Sequence, residues 1–275
     1  MTAYLRLIQK EFRGNIDTLI DDFNDRKDKD SFRPTGTVVY VGKQGSGKTA
    51  SAVYHVLFKL HKRYPKAIIV SNLAFTGMDG LGFGDSTELA AILRHINTEK
   101  QYISFNDIDQ LALALTEINN GKYGVIYLID EIHTYFNSKD SKNIPMYVFN
   151  EISQQRKQRK AIIGTSQLFM RAAIALREQC MYVIACNTYM GVLTRQKAYE
   201  GDDIEDFYSS KAMRAGKAIS AKRTGWFVQT RELRESYDTY QKVSSGLDVL
   251  DMQQSISLTI MGSRNPKSGR NFGRL

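Results

Sequence analysis

Gly42-Lys43-Gln44-Gly45-Ser46-Gly47-Lys48-Thr49 fills every position of the pattern G-x-x-x-x-G-K-[ST], and its neighbours supply the setting that the pattern needs. Ahead of it stands an apolar, β-branched run, Thr37-Val38-Val39-Tyr40-Val41, which reads as a strand. Behind it, from about Lys48 to Tyr64, Ala52, Val53, Val56, Leu57 and Leu60 recur at helical spacing. Strand, glycine-rich turn and helix in that order form a cradle for phosphate. Gly42, Gly45 and Gly47 let backbone N–H groups turn inward, and the start of the helix adds its dipole and unpaired donors. Lys48 is placed to reach the β- and γ-phosphates, and the Thr49 hydroxyl to sit on Mg2+.

The flanking sequence alternates in the same way. Lys66 to Asn72 reads as a strand after a stop at Pro65, followed by a loop with Gly77, Gly80, Gly82 and Gly84. Ser86 or Thr87 can cap a helix carrying Leu89, Ile92, Leu93 and Ile96. Gln101 to Phe105 is a short strand, and Asn106 or Asp107 caps a helix that stops at Asn119-Asn120-Gly121. Val125 to Ile129 is the strongest buried-strand signal. Residues 144–160 read as a helix, Ala161 to Thr165 as a strand and Leu168 to Cys180 as another helix. Met181 to Cys186 and Val192 to Lys197 can pair around Met190-Gly191, and Trp226-Phe227-Val228 offers one more strand. The fold expected is α/β, a P-loop NTPase with a mostly parallel central sheet flanked by helices. Three regions follow: a helical N-terminal extension (1–35), the nucleotide domain (36–200) and a small C-terminal segment (201–275) ending in a basic tail.

The chain has 275 residues, with 38 Lys and Arg against 29 Asp and Glu, a net charge of +9. Nucleotide binding alone does not need that excess, which favours an acidic partner such as nucleic acid. No run of about 18 apolar residues is long enough to span a bilayer, and the N-terminus lacks a signal-peptide core, so a cytoplasmic location is expected. Cys180 and Cys186 have neither zinc spacing nor a secretory context and read as buried, reduced thiols. His55 and His61 are six apart on one helix and do not share a metal-binding face, and His133 reads as a surface histidine or a neighbour of the site. The fifteen tyrosines and thirteen phenylalanines are scattered without a nucleic-acid stacking pattern and read mostly as core.

An ATPase needs a carboxylate for Mg2+ and usually a second one for the attacking water. The strand 125–129 runs into Asp130-Glu131, at the carboxyl edge where open α/β sheets bind ligands. Asp130 is the candidate Mg2+ residue and Glu131 the candidate base. The alternative, two acids that begin a loop, gains little support beside an intact phosphate loop. The strand 161–165 continues into Ser166-Gln167, where Gln167 can sense the γ-phosphate. A plain helix cap explains the serine but not the glutamine.

These motifs in this order, with Ser153-Gln154-Gln155-Arg156-Lys157-Gln158-Arg159 before the Thr165-Ser166-Gln167 strand end, resemble the FtsK–HerA superfamily over residues 36–200. Within it the chain is most similar to viral genome-packaging ATPases and to the zonula-occludens-toxin-like assembly ATPases of filamentous phages. The resemblance implies a homo-oligomeric ring of five or six subunits that hydrolyses ATP and translocates double-stranded DNA, with a phage portal or procapsid as a possible partner. It also implies an arginine finger given to a neighbour's site, for which Arg156 leads and Arg159 follows, with Arg171 and Arg177 behind. The rival to the finger is a solvated basic helix end. A packaging motor is the leading reading. A filamentous-phage assembly ATPase ranks lower because such proteins carry a membrane anchor, a conjugation pump shares the chemistry, and a slow nucleotide switch fits poorly with the Asp-Glu pair.

Overall fold

In the computed structural model, residues 28, 31–34, 36–78, 81–82, 102–139, 144, 146–209 and 219–237 are described, and all fall within the unit Met1–Gln241. The expected helix around 87–96, most of the N-terminal extension and the basic tail lie outside the described residues.

Among the described residues nine strands form one sheet: β1 (Thr37–Val41), β2 (Ile68–Ser71), β3 (Leu81–Gly82), β4 (Tyr102–Ser104), β5 (Val125–Ile129), β6 (Lys160–Ser166), β7 (Cys180–Tyr189), β8 (Leu193–Glu200) and β9 (Arg223–Val228). Their order is β3-β4-β2-β5-β6-β1-β7-β8-β9. The pairings from β3 to β7 are parallel, and β8 and β9 add on antiparallel. Two buried clusters cover its faces, as a mostly parallel sheet requires. One holds Val39, Tyr127, Leu111 and Phe136, and the other Val38, Val53, Ile126 and Leu128. Alternate residues of the same strands feed opposite clusters because successive side chains point to opposite faces.

One detail of the order positions the site. β6 lies between β1 and β5, with Val41 opposite Ser166 and Ile129 opposite Gly164. The carboxyl ends of β1, β6 and β5 therefore sit side by side, and the end of β6 separates the phosphate loop from Asp130.

The helix after the loop forms as an α-helix, α1 (Lys48–Val53), that widens into a π-helical segment over Tyr54–His61. Helix α2 (Ile108–Glu117) is capped by Asp107, whose carboxylate accepts from Gln110 N at 2.8 Å. Helix α3 (Met146–Gln154) is shorter than the 144–160 expected, because residues 155–159 are turns with Arg159 at φ 55°. There Gln155 is buried and donates to Thr37 Oγ1 at 2.7 Å, tying the turn to the start of β1.

The expected helix over 168–180 is corrected. Phe169–Arg171 makes a single 3-10 turn, Ala172 is extended and bridges to Asn137, and only α4 (Ile174–Arg177) is α-helical. The apolar spacing there reflects two short buried contacts, at Phe169 and Leu176, rather than one helix face. β7 and β8 run longer than expected around the turn at Met190 and Gly191, both at positive φ. Beyond them, α5 (Gly201–Ser209), β9 and α6 (Arg231–Glu235) belong to the same compact unit as the core. Cys180 and Cys186 are free and buried, and burial pushes their thiols up to about 12 and about 11.

Candidate nucleotide site

The glycine pattern of the loop takes the backbone shape that it requires. Gly45 and Gly47 sit at φ 76° and 79°, conformations that side chains disfavour. A Cβ on Gly47 would overlap the Thr188 hydroxyl, so the third glycine is also demanded by close approach from β7. Thr188 Oγ1 donates to Ser46 O at 2.9 Å, and Gln229 Nε2 donates to Thr194 Oγ1 at 2.8 Å beside it. The loop is thus held from outside by β7, β8 and the residue after β9, a support that depends on hairpin register and not on any local motif.

Across the carboxyl edge the named residues converge. Thr49 Oγ1 donates to Asp130 Oδ1 at 2.9 Å, and Lys48 Nζ pairs with Glu131 Oε1 at 2.9 Å. Both pairs join the first turn of α1 to the end of β5, across the inserted strand. Thr165, fully buried on β6, bridges them: its hydroxyl donates to Asp130 Oδ1 at 2.6 Å and accepts from Glu131 N at 2.9 Å.

Glu131 has φ 48°, an uncommon conformation for a residue with a side chain and one that costs about 1 kcal/mol or more. The Thr165 hydroxyl and the bonds from Thr134 N and Oγ1 to Glu131 O, at 2.8 and 2.9 Å, hold it there. From the other side, Asn72 at the end of β2 accepts from Asp130 N at 2.8 Å and donates to Asp130 O at 3.0 Å. Thr165 and Asn72 were missed as site residues. Their signal was a polar residue at or just past the carboxyl end of an apolar strand, legible only once the strand order is known.

Burial raises the Asp130 pKa above the ordinary carboxylate value. Hydrogen bonds from Thr165 and Thr49 oppose the rise, Glu131 adds to it and Lys48 counters it. His133 lies 3.3 Å from Glu131 Oε2 and 3.2 Å from Ser166 Oγ, and burial lowers its pKa, with Glu131 pulling the other way and Arg171 and Lys48 adding to the fall. His133 is therefore a neighbour of the site with a place in it, not a surface residue. Two polar atoms here are buried without a hydrogen bond, Ser46 Oγ and Glu131 Oε2; the approach of His133 to the latter is not aligned as a bond. Orphaned oxygens in the loop and on the candidate base fit a site built to meet phosphate and water.

The residues also fit Mg2+. Thr49 and Asp130 offer hard oxygen donors 2.9 Å apart, one of them a buried carboxylate that a cation would favour in its charged form. Among the described residues no group of three or more His, Cys, Asp or Glu forms a metal cage. A divalent ion held by these two oxygens would take its other ligands from water and a triphosphate, as Mg2+ commonly does.

The remaining candidates spread out. Gln167 is exposed just past β6 and lines a cleft of about 540 Å³ with Gly42, Lys43, Lys197 and Tyr199. Arg156 is exposed in the turn before β6 and so lies at the opposite, amino edge of the sheet. The seven residues of β6 place that edge roughly 20 Å from the phosphate loop. Arg159, at the same edge, donates to the Ser31 hydroxyl and to Phe32 O. Neither arginine reaches the phosphate loop of its own chain. Arg177 is buried in a two-pronged pair with Glu205, at 2.8 and 2.7 Å. Arg171 is exposed on the turn after β6, on the same edge as the site. Phosphate loop, candidate Mg2+ ligands and candidate base are brought together with Arg171 on the same edge; Arg156 and Arg159 stand at the other edge.

The family model described as zonular occludens toxin (Zot) matches residues 36–216. No curated protein sequence matches the chain. Among solved structures, the N-terminal domain of zonular occludens toxin from Neisseria meningitidis is similar at 13% identity and TM-score 0.48, over 75% of this chain and 100% of that one. The genome packaging NTPase B204 from Sulfolobus turreted icosahedral virus 2, in complex with AMPPCP, is similar at 15% identity and TM-score 0.45, over 74% of this chain and 95% of that one.

Proposed function

This chain belongs to the zonular occludens toxin family, and on that footing we propose that it hydrolyses Mg2+–ATP to move DNA during phage assembly. The observation that carries the reading is the double link across β6, Lys48 to Glu131 and Thr49 to Asp130, braced by Thr165. A binding module needs the phosphate loop alone. A second carboxylate beside the first, held in a costly backbone conformation, supports turnover.

In this mechanism Thr49 and Asp130 would hold Mg2+, which would supply Lewis-acid polarisation of the phosphate oxygens. Lys48 leaves Glu131 for the more highly charged γ-phosphate, and the freed Glu131 carboxylate accepts the proton of the attacking water. Thr165 keeps the two carboxylates apart in role, since it spends its proton on Asp130 and takes the Glu131 N–H. Lys48 is thus both phosphate ligand and restraint on the base. Gln167, at the rim, is the γ-phosphate sensor in this scheme.

Family membership supports virion assembly of the filamentous type over packaging into a procapsid. The objection from sequence was a missing membrane anchor. Among the described residues no helix is long and apolar enough to cross a membrane, and that does not outweigh the family match. A ring of five or six copies with an arginine given in trans remains part of the proposal. Arg156 suits the trans role better than Arg159, whose guanidinium is engaged with Ser31 and Phe32, and Arg171 joins it as a candidate on the nucleotide edge.

The experiment is ATP turnover by the full chain with and without DNA, both duplex and single-stranded, with Lys48→Ala as the blank. The proposal expects severalfold stimulation by DNA and none of it in the blank. Turnover that depends on Lys48 but ignores DNA would contradict the motor and leave a nucleotide switch.

A further inference from the structure

The three strands that brace the phosphate loop have a second face. Through the registers Tyr189↔Leu193, Asn187↔Arg195, Leu193↔Val228 and Arg195↔Trp226, alternate residues of β7, β8 and β9 come to lie together on one side of the sheet. The other side carries Thr188 and Thr194 against the loop and Phe227 stacked on Tyr54 at 4.9 Å. On the outer side the Arg195 guanidinium lies 5.5 Å from the Tyr189 ring and 5.6 Å from the Trp226 ring, and the two rings are 5.7 Å apart. These rings are not core: Trp226 is 53% exposed, Tyr189 37% and the adjoining Met190 96%. Most described aromatic side chains are core, as expected, and Tyr189 and Trp226 are exceptions.

The charge on this face has one sign. Its residues in the three strands include Arg195 and Lys197 and no carboxylate. Of the acids outside this face, Glu200 pairs with Lys222 at 3.3 Å and Glu205 with Arg177 at 2.7 Å. In the other direction the same face leads into the 540 Å³ cleft, where Lys197 and Tyr199 meet Lys43 and Gln167 beside the phosphate loop. Exposed rings, an arginine stacked on them and no acid on this face of the three strands suit a ligand with flat faces and negative charge. A duplex hides its base faces, whereas an unpaired strand offers them to stacking and its phosphates to arginine and lysine.

We propose that this outer face of β7, β8 and β9 binds single-stranded nucleic acid, bases on Trp226 and Tyr189 and backbone on Arg195 and Lys197. The proposal rests on the reading of the chain as a DNA motor and names the strand form and the surface. It also gives a route between DNA and nucleotide. The hydroxyl of Thr188, between two residues of the outer face, is bonded to Ser46 O in the phosphate loop, so a strand that shifts β7 shifts the loop.

Trp226 is the only tryptophan of the chain, so its emission reports on this surface directly. Titrating the full chain, free of nucleotide, with a thirty-base oligothymidylate should quench Trp226, and a mixed-sequence duplex of equal length should bind more weakly. By anisotropy of a labelled strand, Trp226→Leu and Arg195→Gln should each weaken binding about tenfold, and Trp226→Tyr should retain most of it. Thermal melts of the variants establish that they fold. Single-strand binding with silent Trp226 and unaffected variants would overturn the surface and leave the motor standing. Tighter binding of the duplex would overturn the strand assignment. Emission that changes with protein concentration alone, matched by self-association in sedimentation, would overturn it in favour of a contact between copies. Because binding is measured without ATP, a chain that binds the strand but fails to turn over would strike the motor and not this surface.

Discussion

Replacing Thr165 by valine keeps the shape of a fully buried side chain and removes two hydrogen bonds at once. The bond to the Asp130 carboxylate, at 2.6 Å, is of the charged kind, valued at about 1.5–3 kcal/mol. The bond from Glu131 N, at 2.9 Å, leaves behind an N–H without its partner, at about 1–3 kcal/mol. The two share one hydroxyl and are not independent, so about 3 kcal/mol is the expected loss. For a chain of this size that lowers the melting temperature by about 6–12 °C. The same change releases the residue that holds Glu131 at its positive φ, and a base displaced by about 1 Å costs on the order of 100-fold in kcat. The phosphate loop is untouched, so ATP affinity should stay within a few-fold. The assay is a thermal melt with steady-state hydrolysis and nucleotide titration on the same preparation. A Thr165→Val chain that melts within about 1 °C of the parent and hydrolyses ATP at the parent rate would refute the bridging role.

Asp130→Asn separates stability from activity. Burial raises the Asp130 pKa above its unfolded value, so the folded chain holds that proton more tightly than the unfolded chain. The stability this brings is present below about pH 4 and lost as pH rises through the folded value. Without nucleotide and Mg2+, the asparagine variant should therefore be more stable than the parent near neutrality, with a margin that shrinks toward pH 4, while Mg2+-dependent turnover is lost; denaturant titrations across pH read this out, and a margin independent of pH would contradict it. The arginine candidates divide in mixing experiments with Glu131→Gln. A trans finger, Arg156 or Arg171, should recover activity when its alanine variant is mixed with Glu131→Gln in a co-assembled ring, and one acting in its own subunit should not.

The phosphate loop and the Asp-Glu pair were legible because their information is local: eight contiguous residues between a strand and a helix, and two acids at the end of an apolar run. The parallel sheet was legible for the same reason, since each strand is an apolar segment bounded by breakers. Thr165 and Asn72 were not, because their importance comes from β6 and β2 flanking β5, and strand order is a long-range property. Leu168 to Cys180 misled because buried residues at helical spacing also arise where a broken chain touches the core twice. Tyr189, Arg195 and Trp226 were invisible as a group because hairpin register, not sequence neighbourhood, brings them together. Arg156 and Arg159 stand away from the nucleotide site of their own chain because a basic run close to a catalytic motif in sequence can lie at the far end of the strand between them.

In the proposed chemistry Glu131 is a base restrained by Lys48 and not a ligand for the nucleotide. The most direct test is Glu131→Gln with Mg2+–ATP in a single turnover, with bound and hydrolysed nucleotide measured together. Glutamine keeps the size of the side chain and its reach to Lys48 but cannot take a proton from water. The variant should bind ATP at least as tightly as the parent chain and cleave it on the order of 100-fold or more slowly. Cleavage at the parent rate, or loss of ATP binding equal to that of Lys48→Ala, would contradict it.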